Sequence, residues 1–199
     1  MVVNKFSGFL GNVAVWLHVE HRLTCLVNAY RRKHNFPTID SSLEALIISP
    51  GGVASTMLIN HIRKFKVVNS AGDSDGLKHL PLPPDHVLDI PVILISGDTD
   101  SIIDSLEHQG YLEANAVKLG TRSFFLVPRF LRRATMRRSI KSQEKNWITS
   151  SNSVLVVEYE TLWKRRKDIA LHLGIDNGDF VSTFPTRKNR ESASQKVLN

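Results

Sequence analysis

Residues 46–59 read Leu-Ile-Ile-Ser-Pro-Gly-Gly-Val-Ala-Ser-Thr-Met-Leu-Ile, and this stretch decides the fold. An apolar run stops at a glycine pair and restarts with hydroxyl residues, which predicts a buried strand over 46–48, a tight turn and a helix over 55–65. Backbone N–H groups at a helix start are unpaired and carry partial positive charge, so such a turn can bind phosphate or sulfate. The loop has no Gly-Lys-Ser/Thr, the pattern of common nucleotide-binding loops, so a plain tight turn is an equally good interpretation.

Apolar runs followed by turns and helices recur along the rest of the chain. Residues 91–95 and 154–157 are typical of strands covered on both faces, and helices are predicted over 101–119, over 129–141 and up to residue 173. This alternation predicts an α/β fold, a three-layer sandwich with a mainly parallel central sheet. We expect an N-terminal helical segment over residues 1–40, the α/β domain over 41–188 and a polar tail over 189–199.

Composition limits the classes of function. The chain has 199 residues, enough for one sizeable core, and its formal charge of +7 favours an anionic partner. Cys25 is the only cysteine, so an intrachain disulfide and a cysteine-based metal cluster are excluded, and we expect a soluble protein in the reducing cytoplasm. The apolar stretch over 6–17 is too short and too often broken for a membrane span. No metal site is expected, because the aspartates are scattered.

The predicted helix over 129–141 is rich in arginine and lysine. Six of its thirteen residues are cations, which is typical of a solvated surface helix. The alternative is a contact surface for the phosphate, sulfate or carboxylate groups of a partner. Trp147, further along, is expected to be a core or interface residue, because tryptophan buries a large apolar area.

Four segments, in order, resemble the PAPS-dependent sulfotransferases, which transfer a sulfuryl group from 3′-phosphoadenosine 5′-phosphosulfate. They are the turn at 49–56, the segment Gly-Asp-Thr-Asp-Ser-Ile-Ile-Asp-Ser-Leu at 97–106, the run Val-Leu-Val-Val-Glu-Tyr-Glu-Thr-Leu at 154–162, and the basic segment at 184–192. Their family counterparts are the 5′-phosphosulfate loop, the Arg-Asp-Pro-x-Asp-x-x-x-Ser segment for the 3′-phosphate, the strand ending in Tyr-Glu-Asp-Leu, and a basic tail segment. The resemblance implies a P-loop sulfotransferase-like fold.

The resemblance also implies an activity, a cofactor and a set of site residues. The activity is sulfuryl transfer from PAPS to a hydroxyl or amine of a small-molecule or glycan acceptor, acidic acceptors included, with no nucleic-acid partner. The cofactor-binding residues it implies are Gly51, Gly52, Val53, Ala54, Ser55 and Thr56 for the 5′-phosphosulfate, Asp98 and Ser105 in the 3′-phosphate segment, and the closing cations Arg187, Lys188 and Arg190.

The pair Lys78-His79 resembles the Lys-x-His-x-Pro element of the cytosolic branch, with a spacing one residue shorter. It makes His79 the candidate general base, since histidine titrates near neutrality, and Lys78 a candidate cation for the sulfate. Gly52 and Gly97 stand where the family carries cations, so other cations must substitute. The candidates are Lys64, Lys66, Lys78 and the helix over 129–141.

Ala54 stands where the family has glycine, which predicts backbone strain if its φ angle is positive. Two other classes of function stay open: a sulfotransferase-fold protein that has lost transfer, and a basic module that binds nucleic acid or another polyanion. A P-loop kinase is disfavoured, because the loop lacks Gly-Lys-Ser/Thr.

Overall fold

The computed structural model describes residues 39, 41–121 and 123–187. The predicted helix at the N-terminus, the polar tail, Cys25, Lys188 and Arg190 lie outside these residues. The predictions for the N-terminal segment and for the tail therefore stay predictions.

A small parallel sheet forms the centre of the described fold. Its strands are β1 (Leu46–Ile48), β2 (Val92–Ser96) and β3 (Val154–Glu158), hydrogen-bonded in the order β1-β2-β3. Leu46 pairs with Val92, which in turn pairs with Val154, and both pairings are parallel. The three predicted strands and the α/β class are confirmed. The central strand is buried along its whole length, as its unbroken apolar sequence predicts.

Helices join the strands and follow the last of them. In the described part of the chain they are α1 (Ser55–Ile62), α2 (Thr99–His108), α3 (Leu112–Lys118), α4 (Arg129–Ile148), α5 (Arg166–Leu173) and α6 (Asn177–Ser182), with a 3-10 turn at Phe124–Leu126. The prediction of a single helix over 101–119 was wrong. Gly110 adopts a left-handed φ of 72°, and the Tyr111 N–H donates to the Leu106 carbonyl at 2.8 Å, which ends α2 and separates it from α3.

The two faces of the sheet are covered differently. Ile47, Ile93, Ile95 and Val157 pack into one cluster with apolar residues of every helix from α1 to α6. The opposite face packs against Trp147 and against irregular segments that include Leu77 and Leu88. A second helical layer, as in the predicted sandwich, is not found on this face among residues 39, 41–121 and 123–187.

Trp147 anchors α4 on that opposite face. It is fully buried, and its indole N–H donates to the Leu80 carbonyl at 3.0 Å. The interpretation of Trp147 as a core residue is confirmed. The indole thereby also fixes the segment that follows Lys78 and His79.

Arginines of α4 pair with acidic residues of the neighbouring helices. Arg132 lies 2.8 Å from Glu113, Arg133 lies 2.6 Å from Asp104, and Arg137 pairs with Asp100. The Arg133 and Arg137 pairs are exposed, so water and salt screen them and each contributes little to stability. These arginines hold α4 on α2 and α3, so they do not belong to the contact surface for a partner's anionic groups that the sequence leaves open as an alternative.

Candidate anion-binding site

The loop between β1 and α1 is built from left-handed residues. Gly51, Gly52 and Ala54 have φ angles of 100°, 69° and 56°. Ala54 is the N-cap of α1, and its side chain cannot accept a hydrogen bond from the first-turn N–H groups. Ala54 therefore has the positive φ for which backbone strain is expected. This strain costs roughly 1 to 2 kcal/mol. The helix start is thus an uncapped, positively polarised end.

The glycines of this loop allow α2 and α3 to approach it closely. A Cβ atom at Gly51 would lie 2.7 Å from the side-chain nitrogen of Asn115, and one at Gly52 would lie 3.3 Å from the Ser105 hydroxyl. The loop and Ser105, assigned to one cofactor from distant segments, therefore lie side by side. Asn115, a buried residue whose side-chain amide faces the loop, was not predicted as part of the site.

Lys78 reaches the same loop from the far side. Its ammonium donates to the Thr56 hydroxyl at 2.8 Å and to the Ala71 carbonyl at 2.9 Å. Burial lowers the pKa of Lys78, while the nearby Asp73 carboxylate opposes that shift. The structure thus brings one of the candidate substitute cations into contact with the predicted phosphosulfate loop.

A second cation, Lys118, was missed by the sequence analysis. Its ammonium lies 2.7 Å from the carboxylate of Asp73, whose side chain is 2% exposed. The other carboxylate oxygen of Asp73 accepts the Lys78 backbone N–H at 3.0 Å. The Lys118 ammonium thus pairs with Asp73, while the Lys78 ammonium donates to Thr56 and Ala71. Two cations and one carboxylate leave a net positive charge at this edge of the loop.

His79 is held in one tautomer by the backbone. Its Nδ1 donates to the Ser49 carbonyl at 2.7 Å, because a carbonyl can only accept, so Nε2 carries the lone pair. Burial lowers the pKa of His79 to about 4, against a weaker opposing effect of Asp73. The imidazole is therefore neutral at pH 7, which is the state a proton acceptor requires.

These groups surround one cavity of about 550 Å³. Its walls include the loop over 51–56, the pair Lys78-His79, residues 115 and 118 of α3, and Tyr159. A volume of this size is in the range of small-molecule and cofactor sites. Hydrogen-bond donors and cations predominate over acids along its walls, so the cavity suits an anionic ligand.

Other predicted site residues lie apart from this cavity. Asp98 is exposed and caps α2 by accepting the Ser101 N–H at 2.8 Å, and this hydrogen bond lowers the pKa of Asp98. Arg187 stacks on the rings of Tyr159 and Trp163, with its guanidinium carbon 5.6 Å and 5.3 Å from their centroids. Tyr159 also lines the cavity, so Arg187 stacks on a residue of the cavity wall.

Three further positions bear on the cations that the loop lacks. Lys64 and Lys66 line a separate hollow with Glu44, away from the loop, so they are not its substitute cations. A Cβ atom at Gly97 would lie 3.6 Å from a carboxylate oxygen of Glu160. The position where the family carries an arginine thus faces a carboxylate here.

The comparisons with known proteins found no match for this chain. No protein-family model, curated protein or solved structure matches the chain. Within the described ranges, no group of His, Cys, Asp and Glu side chains could hold a metal ion. The helices described here are all too short or too polar to cross a membrane.

Proposed function

We propose that this chain is a divergent PAPS-dependent sulfotransferase that moves a sulfuryl group to a hydroxyl or amine acceptor. The observation that supports this proposal most is the meeting at one cavity of the loop over 51–56 and the pair Lys78-His79, with Ser105 beside the loop at Gly52. The resemblance assigns these three separate segments to one site.

The walls of the cavity fit the charged part of PAPS, whose phosphosulfate and 3′-phosphate are anions. The uncapped start of α1, the Asn115 amide and the ammonium groups of Lys78 and Lys118 are all donors. Ser105 lies beside Gly52, where a hydroxyl could donate to a second phosphate.

Lys78 would provide the cation that the loop lacks at Gly52. PAPS supplies the sulfuryl group, and the protein must stabilise the negative charge that grows on the departing phosphate oxygen. The loss of one such charge-assisted contact costs about 3 to 4 kcal/mol, so a substitute cation is needed. Lys78 is fixed for this role by its hydrogen bond to Thr56, and Lys118 adds a second positive charge.

His79 would accept the proton of the acceptor hydroxyl at Nε2. As the acceptor oxygen bonds to sulfur, the bond between sulfur and the bridging phosphate oxygen breaks. The hydrogen bond from Nδ1 to the Ser49 carbonyl keeps Nε2 unprotonated beforehand. A pKa of about 4 makes a weak base, and nearby anionic groups of a bound ligand would raise it towards neutrality.

The first test is calorimetric titration with 3′-phosphoadenosine 5′-phosphate, beside ATP and a generic polyanion, at two salt concentrations. We expect selective, stoichiometric binding of the bisphosphate, reduced about tenfold or more by Lys78→Met because a buried charge-assisted contact is lost. Lys64→Met is the matched control, since Lys64 lies in the other hollow, and it should bind like wild type. Binding that is unselective, or that Lys78→Met leaves unchanged, would refute the proposal.

A second candidate is a protein of the same fold that binds nucleotide but has lost transfer. Gly97 favours this candidate, because the family has a phosphate-binding arginine at this position and the position here lies beside the carboxylate of Glu160. Binding of the bisphosphate without any turnover of PAPS over a panel of hydroxyl acceptors would support this candidate. The nucleic-acid alternative is weakened, since three cations of α4, Arg132, Arg133 and Arg137, pair with acidic residues within the fold.

A further inference from the structure

The 3-10 turn and the start of α4 expose a group of large apolar side chains. We call Phe125, Leu126, Phe130 and Leu131 the apolar tip. Leu126 is 71% exposed and Phe130 is 83% exposed. Single exposed apolar side chains are ordinary on protein surfaces. Four exposed apolar side chains within seven consecutive residues form a patch that is typical of an interaction site.

The backbone around the apolar tip is held in place. The Val127 N–H donates to the Phe124 carbonyl at 3.0 Å, and the Leu131 N–H donates to the Pro128 carbonyl at 2.9 Å. Arg132 donates to the Val127 carbonyl at 3.1 Å and also pairs with Glu113 at 2.8 Å. The tip is therefore presented to solvent by a braced turn.

Cations continue along the solvent side of α4 from this tip. The exposed charged residues of the helix are Arg129, Arg138, Lys141 and Lys145, and none of its exposed residues is acidic. In the described part of the chain, none of these four cations forms an ion pair. They differ in this from Arg132, Arg133 and Arg137, which face α2 and α3. Arg138, Lys141 and Lys145, spaced three and four residues apart, share one side of a helix about 30 Å long, and that side thus combines an apolar end with cations that form no ion pair.

We propose that this side of α4 docks on the surface of an anionic lipid bilayer. The apolar tip inserts at the boundary between headgroups and acyl chains, and Arg138, Lys141 and Lys145 lie at the level of the lipid phosphates. A nucleic acid would use the cations but gain little from exposed Leu126 and Phe130. A second copy of the chain would bring two sets of unpaired cations together, which repel. The bilayer is the partner that satisfies both features.

The test measures binding of the full chain to phosphatidylcholine vesicles with and without phosphatidylserine, at two salt concentrations. We expect wild type to prefer the phosphatidylserine vesicles and to lose affinity at high salt. The double change Leu126→Asp with Phe130→Asp should weaken binding about tenfold or more, because it removes the inserted side chains. Leu171→Asp is the matched control, since Leu171 is 76% exposed on α5, and it should bind like wild type.

A second variant tests the charges. Joint replacement of Arg138, Lys141 and Lys145 by Gln should reduce affinity about a hundredfold, since each cation near an anionic surface contributes roughly a factor of five. All variants change exposed side chains, and circular dichroism confirms that each is folded. Equal binding to both kinds of vesicle, or an apolar-tip variant that binds like wild type, would overturn the proposal. So would a dimer that dissociates in the tip variant, or RNA binding tighter than vesicle binding.

Discussion

Acidification should destabilise the protein through His79. The pKa of this group falls from 6.5 to about 4 on folding, so between these values the unfolded chain binds more protons than the folded one. Stability is then lost as pH drops. Each unit of pKa difference corresponds to about 1.4 kcal/mol, and between about pH 7.5 and about pH 4.5 the loss from His79 alone is about 2.5 kcal/mol. The cause is the burial of a cation that has no room for hydration.

The assay is urea unfolding, followed by tryptophan fluorescence, of wild type and His79→Asn at both pH values. Asparagine keeps an N–H donor for the Ser49 carbonyl but does not titrate. The carboxylates and the other buried histidine, His61, contribute to both proteins and cancel in the comparison. We expect wild type to lose about 2.5 kcal/mol more than the variant on acidification. Equal losses in the two proteins would refute the burial of a neutral His79.

Three further changes probe the loop and its neighbours. Ala54→Gly should raise the free energy of unfolding by about 0.5 to 1 kcal/mol in thermal denaturation, because it relieves a left-handed alanine; a lower stability would contradict this. Asp98→Ala should lose about 1 kcal/mol of stability with unchanged affinity for the bisphosphate, whereas a fall in affinity would return Asp98 to the site. Gly51→Ala should lower both stability and affinity, because its Cβ would collide with Asn115; Gly110→Ala, where a Cβ meets nothing within 4 Å, is the control and should leave affinity unchanged.

The strands could be predicted because their burial dictates their composition. A strand covered on both faces must be apolar throughout, and residues 92–95 of β2 are all apolar. The break between α2 and α3 was missed because apolar spacing continues across it. A single glycine, Gly110, sets that break through local hydrogen bonds that periodicity does not register.

The candidate site was predictable where a motif is local and not where it depends on long-range contacts. The loop over 51–56 and the pair Lys78-His79 are recognisable along the chain. Lys118 at the end of a helix is indistinguishable in sequence from an ordinary solvated lysine. Only the fold brings Lys118 next to Asp73. Asp73 lies in a loop, and hydrophobic periodicity does not predict the path of a loop.

The missing cation of the loop has a local cause. Gly52 has a φ of 69°, and a Cβ atom there would lie 3.3 Å from the Ser105 hydroxyl. A lysine at this position would be strained and would displace the residue that the resemblance assigns to the 3′-phosphate. Positive charge at this loop therefore has to come from outside it, and Lys78 reaches in through Thr56. Under the proposed function, Lys78 supplies the positive charge that the family carries at the position of Gly52.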